Sequence, residues 1–161
     1  MHWTTRLLTI LTTGAVAAAP AAATPPAGVL TNVIIAQGPM MGPLKERVEV
    51  AGWSATLEDR GESEIYFQDF VVGPGGYSGW HSHPAVVLIT VKEGTVEFYE
   101  HDCTRRTYTA GQSFTEGAQP HTAVNRGTTN VRLLIAYVVK RGEPRRIEAP
   151  QPPCGAGLGI P

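Results

Sequence analysis

The chain has 161 residues, with thirteen Lys/Arg against fourteen Asp/Glu and a formal net charge of −1. That length builds one domain of ordinary size and not two. A balanced charge excludes the basic excess that nucleic-acid binding requires, so no nucleic-acid partner is expected.

The chain opens on a targeting pattern. Arg6 precedes an apolar run from Leu7 to Ala19, and Ala21-Ala22-Ala23 follows. A cationic start, an apolar stretch of that length and a small-residue end are the parts of a secretory signal peptide. Residues 1–23 are therefore read as a leader cut near Ala23, and the protein as secreted, extracellular or periplasmic. The competing reading is an uncleaved anchor. The run is short and rich in Thr, Ala and Gly, so no stable membrane insertion is expected. No cysteine closely follows the run and no pair of arginines precedes it, so neither lipidation nor twin-arginine export is expected.

Thr24 to Gly28 reads as a linker within an N-terminal extension, residues 24–45. Short β-type runs follow: Val29–Ala36, Arg47–Leu57, Glu64–Val72, Ala85–Lys92, Thr95–His101, Arg106–Thr109, His121–Asn125 and Val131–Lys140. Gly73-Pro74-Gly75-Gly76 and similar clusters between them read as turns. Many short alternating runs at this spacing predict an all-β fold, a single small β-barrel over residues 46–140. No amphipathic helix is expected. Residues 141–161 form a Pro/Gly-rich tail, whose Arg141, Arg145 and Arg146 read as solvated surface, the alternative being a binding patch.

Two cysteines, Cys103 and Cys154, make an even count in an exported chain, which favours one intramolecular disulfide tethering the tail. The alternatives are free thiols, or Cys103 as a metal ligand.

The chemistry lies in the histidines. Of five, His2 falls in the leader, and three of the other four sit in two short stretches, Trp80-His81-Ser82-His83-Pro84 and Gln119-Pro120-His121. Side chains on a strand alternate with period 2, so His81 and His83 point to one side. In the same phase Val87, Ile89 and Val91 face inward while Thr90 and Lys92 face out. The pattern predicts an apolar cavity into which three imidazoles project.

Gly75 through His81-Ser82-His83 to Gly94 resembles the first motif of the cupins, and Gly111 through His121 to Asn125 resembles the second. The resemblance spans roughly residues 64 to 140 and is nearest to the small exported single-domain cupins of actinobacteria. It implies a double-stranded β-helix, or jelly roll, with His81, His83 and His121 as metal ligands. Where cupins usually place a metal-binding glutamate, this sequence has Val87, followed by Leu88. What carries over is a three-histidine set for a divalent transition metal: Fe, Mn, Zn, Ni or Cu. Such a centre keeps its full positive charge and favours a small anionic substrate. Asn125 and Trp80 are candidate ligand-contacting residues, Asn125 competing with a turn-capping role and Trp80 with the core. Tyr77 is placed with Trp80, and Gln68 and Gln119 are candidates for a weak oxygen ligand.

Two functional readings follow. The first is an exported protein with a mononuclear metal site; if it is an enzyme, the site suits metal-assisted oxidation or isomerisation of a small anion. The second is a non-catalytic small-ligand-binding or structural cupin that has lost its metal. A homodimer is compatible with both.

Overall fold

The computed structural model describes residues 22–160. The leader expected over residues 1–23 lies outside the described residues except for Ala22 and Ala23. Among the described residues no helix is long and apolar enough to cross a membrane.

The described residues form twelve strands in chain order: β1 (Ala27–Pro39), β2 (Lys45–Val50), β3 (Trp53–Glu58), β4 (Ser63–Tyr77), β5 (His81–Ser82), β6 (Ala85–Glu93), β7 (Thr95–Glu100), β8 (Arg105–Thr109), β9 (Ser113–Glu116), β10 (His121–Val124), β11 (Val131–Lys140) and β12 (Ile147–Glu148). A short 3-10 helix, Pro153–Leu158, follows them. Ten strands form one antiparallel sheet that curls into a nearly closed barrel of jelly-roll type. Its spine runs β12-β5-β10-β4-β11-β6-β9, with β1 alongside β4 and β7 joining β10 to β8.

The alternation read from the sequence is what closes this barrel. On β6, Val87, Ile89 and Val91 are buried while Val86, Leu88 and Thr90 face out, and on β11 Val131, Leu133, Ile135, Tyr137 and Val139 are buried. These side chains meet Phe70, Val72, Phe98 and Phe114 in one continuous core. Removing their apolar area from water, at about 25 cal/mol per Å², is the main force holding the sheet curled.

Three features differ from the sequence reading. The run Arg47–Leu57 is a hairpin, β2 and β3, reversed at Gly52 with φ +75°, and it forms its own two-stranded sheet apart from the barrel. The segment set aside as an extension supplies β1, which pairs with β4 from Ala27↔Tyr77 to Pro39↔Glu64. Gly73-Pro74-Gly75-Gly76 is not a turn between strands but lies inside β4. There the ladder to β1 slips, and the left-handed Gly75 (φ +75°) absorbs the extra residues as a bulge. Glycine permits the bend, and the strand goes on to meet β10 at Tyr77↔Val124.

The tail is part of the fold. β12 pairs with β5 through Ile147↔Ser82 and Glu148↔His81, and Cys103 is joined to Cys154 by a disulfide. Ala149 and Ile160 cover a second apolar cluster built on Trp80, Tyr99 and Val124. At the other end of the chain, Thr24 donates its N–H to the Ala149 carbonyl.

Candidate metal centre

His81 on β5 and His121 on β10 are direct partners across the ladder. His83 follows two residues after His81, its N–H donating to the Gly117 carbonyl at 3.1 Å. The structure therefore brings the three imidazoles together: ring centroids are 4.7 Å apart for His81 and His83, 4.5 Å for His81 and His121, and 5.2 Å for His83 and His121. All three residues are at most 4% exposed.

A fourth group completes the set, and the sequence reading missed it. Glu116, the last residue of β9, places its carboxylate among the histidines with a side chain only 5% exposed. Its Oε2 is 3.1 Å from His83 Nε2 and 3.4 Å from His121 Nε2. The expectation of a site without an acidic side chain is thereby corrected. Glu116 pairs directly with Val87 across β6 and β9, so the carboxylate absent from position 87 is supplied by the facing residue of the next strand. The available signal was the alternation Ser113-Phe114-Thr115-Glu116, in which Phe114 is buried and Ser113 and Thr115 are exposed. Glu116 shares the inward phase of Phe114.

The protons can be placed from the partners. Nδ1 of His81 lies 2.8 Å from the Gly79 carbonyl, Nδ1 of His83 lies 2.5 Å from the Arg145 carbonyl, and Nδ1 of His121 lies 2.8 Å from the Gln119 carbonyl. A carbonyl only accepts, so each Nδ1 carries a hydrogen and donates it. In the neutral ring Nε2 is then a bare lone pair. Burial pushes the His81 imidazolium well below its usual range, with the Glu116 charge opposing, and keeps that ring neutral. Burial alone would raise the Glu116 carboxyl; a proton shared with the Nε2 of His121 or His83 lowers it well below the usual carboxylate range. Glu116 is ionised.

With no proton between them, the Nε2 atoms and a carboxylate oxygen converge as acceptors within 4.8 Å of one another. His121 Nε2 is buried with no hydrogen-bond partner. Ligand bonds of about 2.0–2.2 Å to one ion put donor atoms at most about 4.4 Å apart. A divalent cation at the centre would satisfy all four groups once they draw in towards it. The donor set fits a mononuclear transition metal.

The other expected site residues fall elsewhere. Trp80 is completely buried in the second apolar cluster, beneath the tail, and Tyr77 packs beside it. Asn125 is also buried, but its amide donates to the Val72 and Thr129 carbonyls and its oxygen accepts from Gly127 N–H. It fastens a turn and does not reach the histidines. The reading of Trp80 and Asn125 as ligand contacts is corrected on these grounds. Gln119 contributes its backbone carbonyl to His121, with its side chain exposed. Gln68 lines the cavity beside the histidines, its oxygen taken up by the Tyr137 hydroxyl at 2.6 Å and by Arg145 at 3.2 Å.

That cavity, of about 200 Å³, is lined by His81, His83 and Glu116 together with Phe70, Ile89, Leu133 and Ile135. Arg145 and Arg146 also line it, so the reading of these two arginines as solvated surface is corrected: the β12–β5 pairing folds the tail over the opening. Arg141 is on the surface, paired with Glu62.

Residues 68–147 match the family model for the cupin domain. No curated protein matches the chain. Similar solved structures include a Cupin 2 conserved barrel domain protein from Salinispora arenicola CNS-205, 24% identical, with 45% of this chain and 61% of that chain covered and a TM-score of 0.42. The polyketide cyclase RemF from Streptomyces resistomycificus is 21% identical, with 58% and 68% covered and a TM-score of 0.46. An uncharacterized conserved protein with a double-stranded β-helix domain from Klebsiella pneumoniae subsp. pneumoniae MGH 78578 is 20% identical, with 68% and 85% covered and a TM-score of 0.47. This chain spans about three fifths of the Salinispora protein. With the two histidines of the first motif and the histidine of the second converging inside a nearly closed jelly-roll sheet, and with the family model matched across both, the chain belongs to the cupin superfamily.

Proposed function

We propose that this is an exported protein holding one divalent transition-metal ion on His81, His83, His121 and Glu116, and that the adjoining cavity receives a small anionic molecule. One observation carries the reading: three imidazoles with their Nδ1–H groups spent on carbonyls turn bare Nε2 atoms towards an ionised carboxylate. Without a cation or a shared proton that arrangement sets lone pair against lone pair.

The bound ion would supply Lewis acidity or an oxygen-binding centre, which suits oxidation or isomerisation of a substrate that ligates it. The chain's own residues do the rest. The backbone carbonyls of Gly79, Arg145 and Gln119 hold the rings in one tautomer. The wall of Phe70, Ile89, Leu133 and Ile135 keeps water away from one face. Tyr137, whose hydroxyl pKa is pushed up by burial, stays protonated and donates to Gln68. Glu116 removes one unit from the charge of the ion, so attraction for an anion cannot rest on a three-histidine centre alone and must draw on the arginines at the opening.

The rival reading, a barrel that has lost its metal, has no use for a buried carboxylate among three histidines. Export is supported by the Cys103–Cys154 disulfide, which persists in oxidising compartments. The test is metal analysis of protein secreted by its native host. Near one equivalent is expected, reduced to background by His81→Ala and by Glu116→Gln. Metal-free protein whose stability is unaltered by added divalent ions would overturn the proposal.

A further inference from the structure

We infer that Arg145 is the anion-binding residue of the cavity and that the ligand is a small monocarboxylate with an apolar body. The inference deepens the functional reading above and rests on it for the identity of the cavity, but its chemistry comes from the tail and not from the metal ligands.

Among the described residues, Arg145 and Arg60 are the arginines with no carboxylate within 4.0 Å. Arg60 is exposed in a turn. Arg145 lies over two aromatic rings, its guanidinium carbon 5.2 Å from the centre of Tyr66 and 5.3 Å from that of Tyr137. Its guanidinium makes one protein hydrogen bond, to Gln68 Oε1. A guanidinium has five N–H donors, so most of its capacity is unspent in a group that lines the cavity. Its neighbour differs: Arg146 is bound twice by Glu148, at 2.6 and 2.8 Å, and donates to the Ser78 carbonyl.

A planar fork of free donors, fixed by flanking rings, matches a carboxylate in two parallel hydrogen bonds. The flat fork pairs edge to edge with a flat carboxylate, a match that a tetrahedral phosphate beside the apolar lining makes less well. The lining also includes Phe70, Ile89, Leu133 and Ile135, which suit an apolar remainder of the ligand. At about 200 Å³ the space is smaller than the roughly 300–1,000 Å³ of sites that enclose drug-sized molecules. The ligand is correspondingly small.

Calorimetric titration of the full disulfide-bonded chain, stripped of metal, with benzoate, benzamide and inorganic phosphate tests this. Benzoate is expected to bind at least tenfold more tightly than benzamide or phosphate. Arg145→Gln should erase the preference for benzoate and leave benzamide unchanged, with Arg145→Lys falling between. Metal content should be unaltered in Arg145→Gln, because His83 is held by the backbone carbonyl of residue 145. Equal binding of benzoate and benzamide, no binding of either, tighter binding of phosphate, or full benzoate affinity in Arg145→Gln would each overturn the inference. Because the titration uses metal-free protein, its outcome is separate from whether the four-residue set binds an ion.

Discussion

Val87 and Glu116 stand directly opposite one another on β6 and β9. Facing residues of an antiparallel pair share one side of the sheet with Cβ atoms about 4.5–5.5 Å apart. A carboxylate rooted at either position therefore reaches the same region, and the usual cupin glutamate has in effect crossed to the next strand. Exchanging the pair tests this. Glu116→Gln alone should weaken metal binding by at least about tenfold, the scale on which supporting groups already matter. Adding Val87→Glu to a Glu116→Val background should restore part of the loss, as read by competition with a chelator. If the exchanged protein binds no better than Glu116→Val, the two positions are not equivalent.

Metal binding should also appear as stability. A ligand at a thousand times its Kd stabilises the folded state by about 4 kcal/mol, which for a domain of this size raises Tm by on the order of 10 °C. A chelator should remove that increment from the native protein and do nothing to His121→Ala. Thermal unfolding with and without chelator measures both.

The disulfide closes a sequence separation of 51 residues. In the chain-entropy account that is a stabilisation of about 4 kcal/mol. Cys103→Ser with Cys154→Ser should lose most of it in denaturant unfolding. Limited proteolysis should then cut first in the tail, because β12 is held to β5 by only two residue pairs.

On the outer face, Arg132 donates to both oxygens of Asp69, at 2.9 and 2.6 Å. The Arg132 hydrogen bond holds the Asp69 carboxyl below its usual range. A carboxyl depressed by folding stabilises the protein above its unfolded pKa of about 3.9 and loses that effect as pH falls through the folded value. Asp69→Asn should therefore cost stability at neutral pH, by about 1 kcal/mol at most for a partly exposed pair. The gap should close below about pH 4. Denaturant midpoints of the two proteins across pH 3–7 provide the check.

The sequence reading recovers what lies along one strand and loses what forms between strands. The alternation of Val87, Ile89 and Val91 announces a buried face, and His81-Ser82-His83 announces two imidazoles on one side. Glu116 was overlooked because its role depends on which strand β9 lies against, and no local pattern encodes that pairing. Arg145 was misread for the same reason: Arg141 to Arg146 has the composition of a solvated loop, and only the two-residue β12 folds it back over the cavity. Trp80 adjoins the motif in sequence but points away from it, as the period of a strand requires. Asn125 keeps its motif position and uses its amide on a turn.

All three ring-orienting acceptors, on Gly79, Arg145 and Gln119, are peptide carbonyls. An alanine scan leaves every one of them in place. Such a survey would report the four ligands as essential and their surroundings as dispensable, although the aim of each imidazole is set by those surroundings. Replacing single peptide links by esters, which weakens the carbonyl as an acceptor while sparing every side chain, is the kind of change that would expose this hidden support.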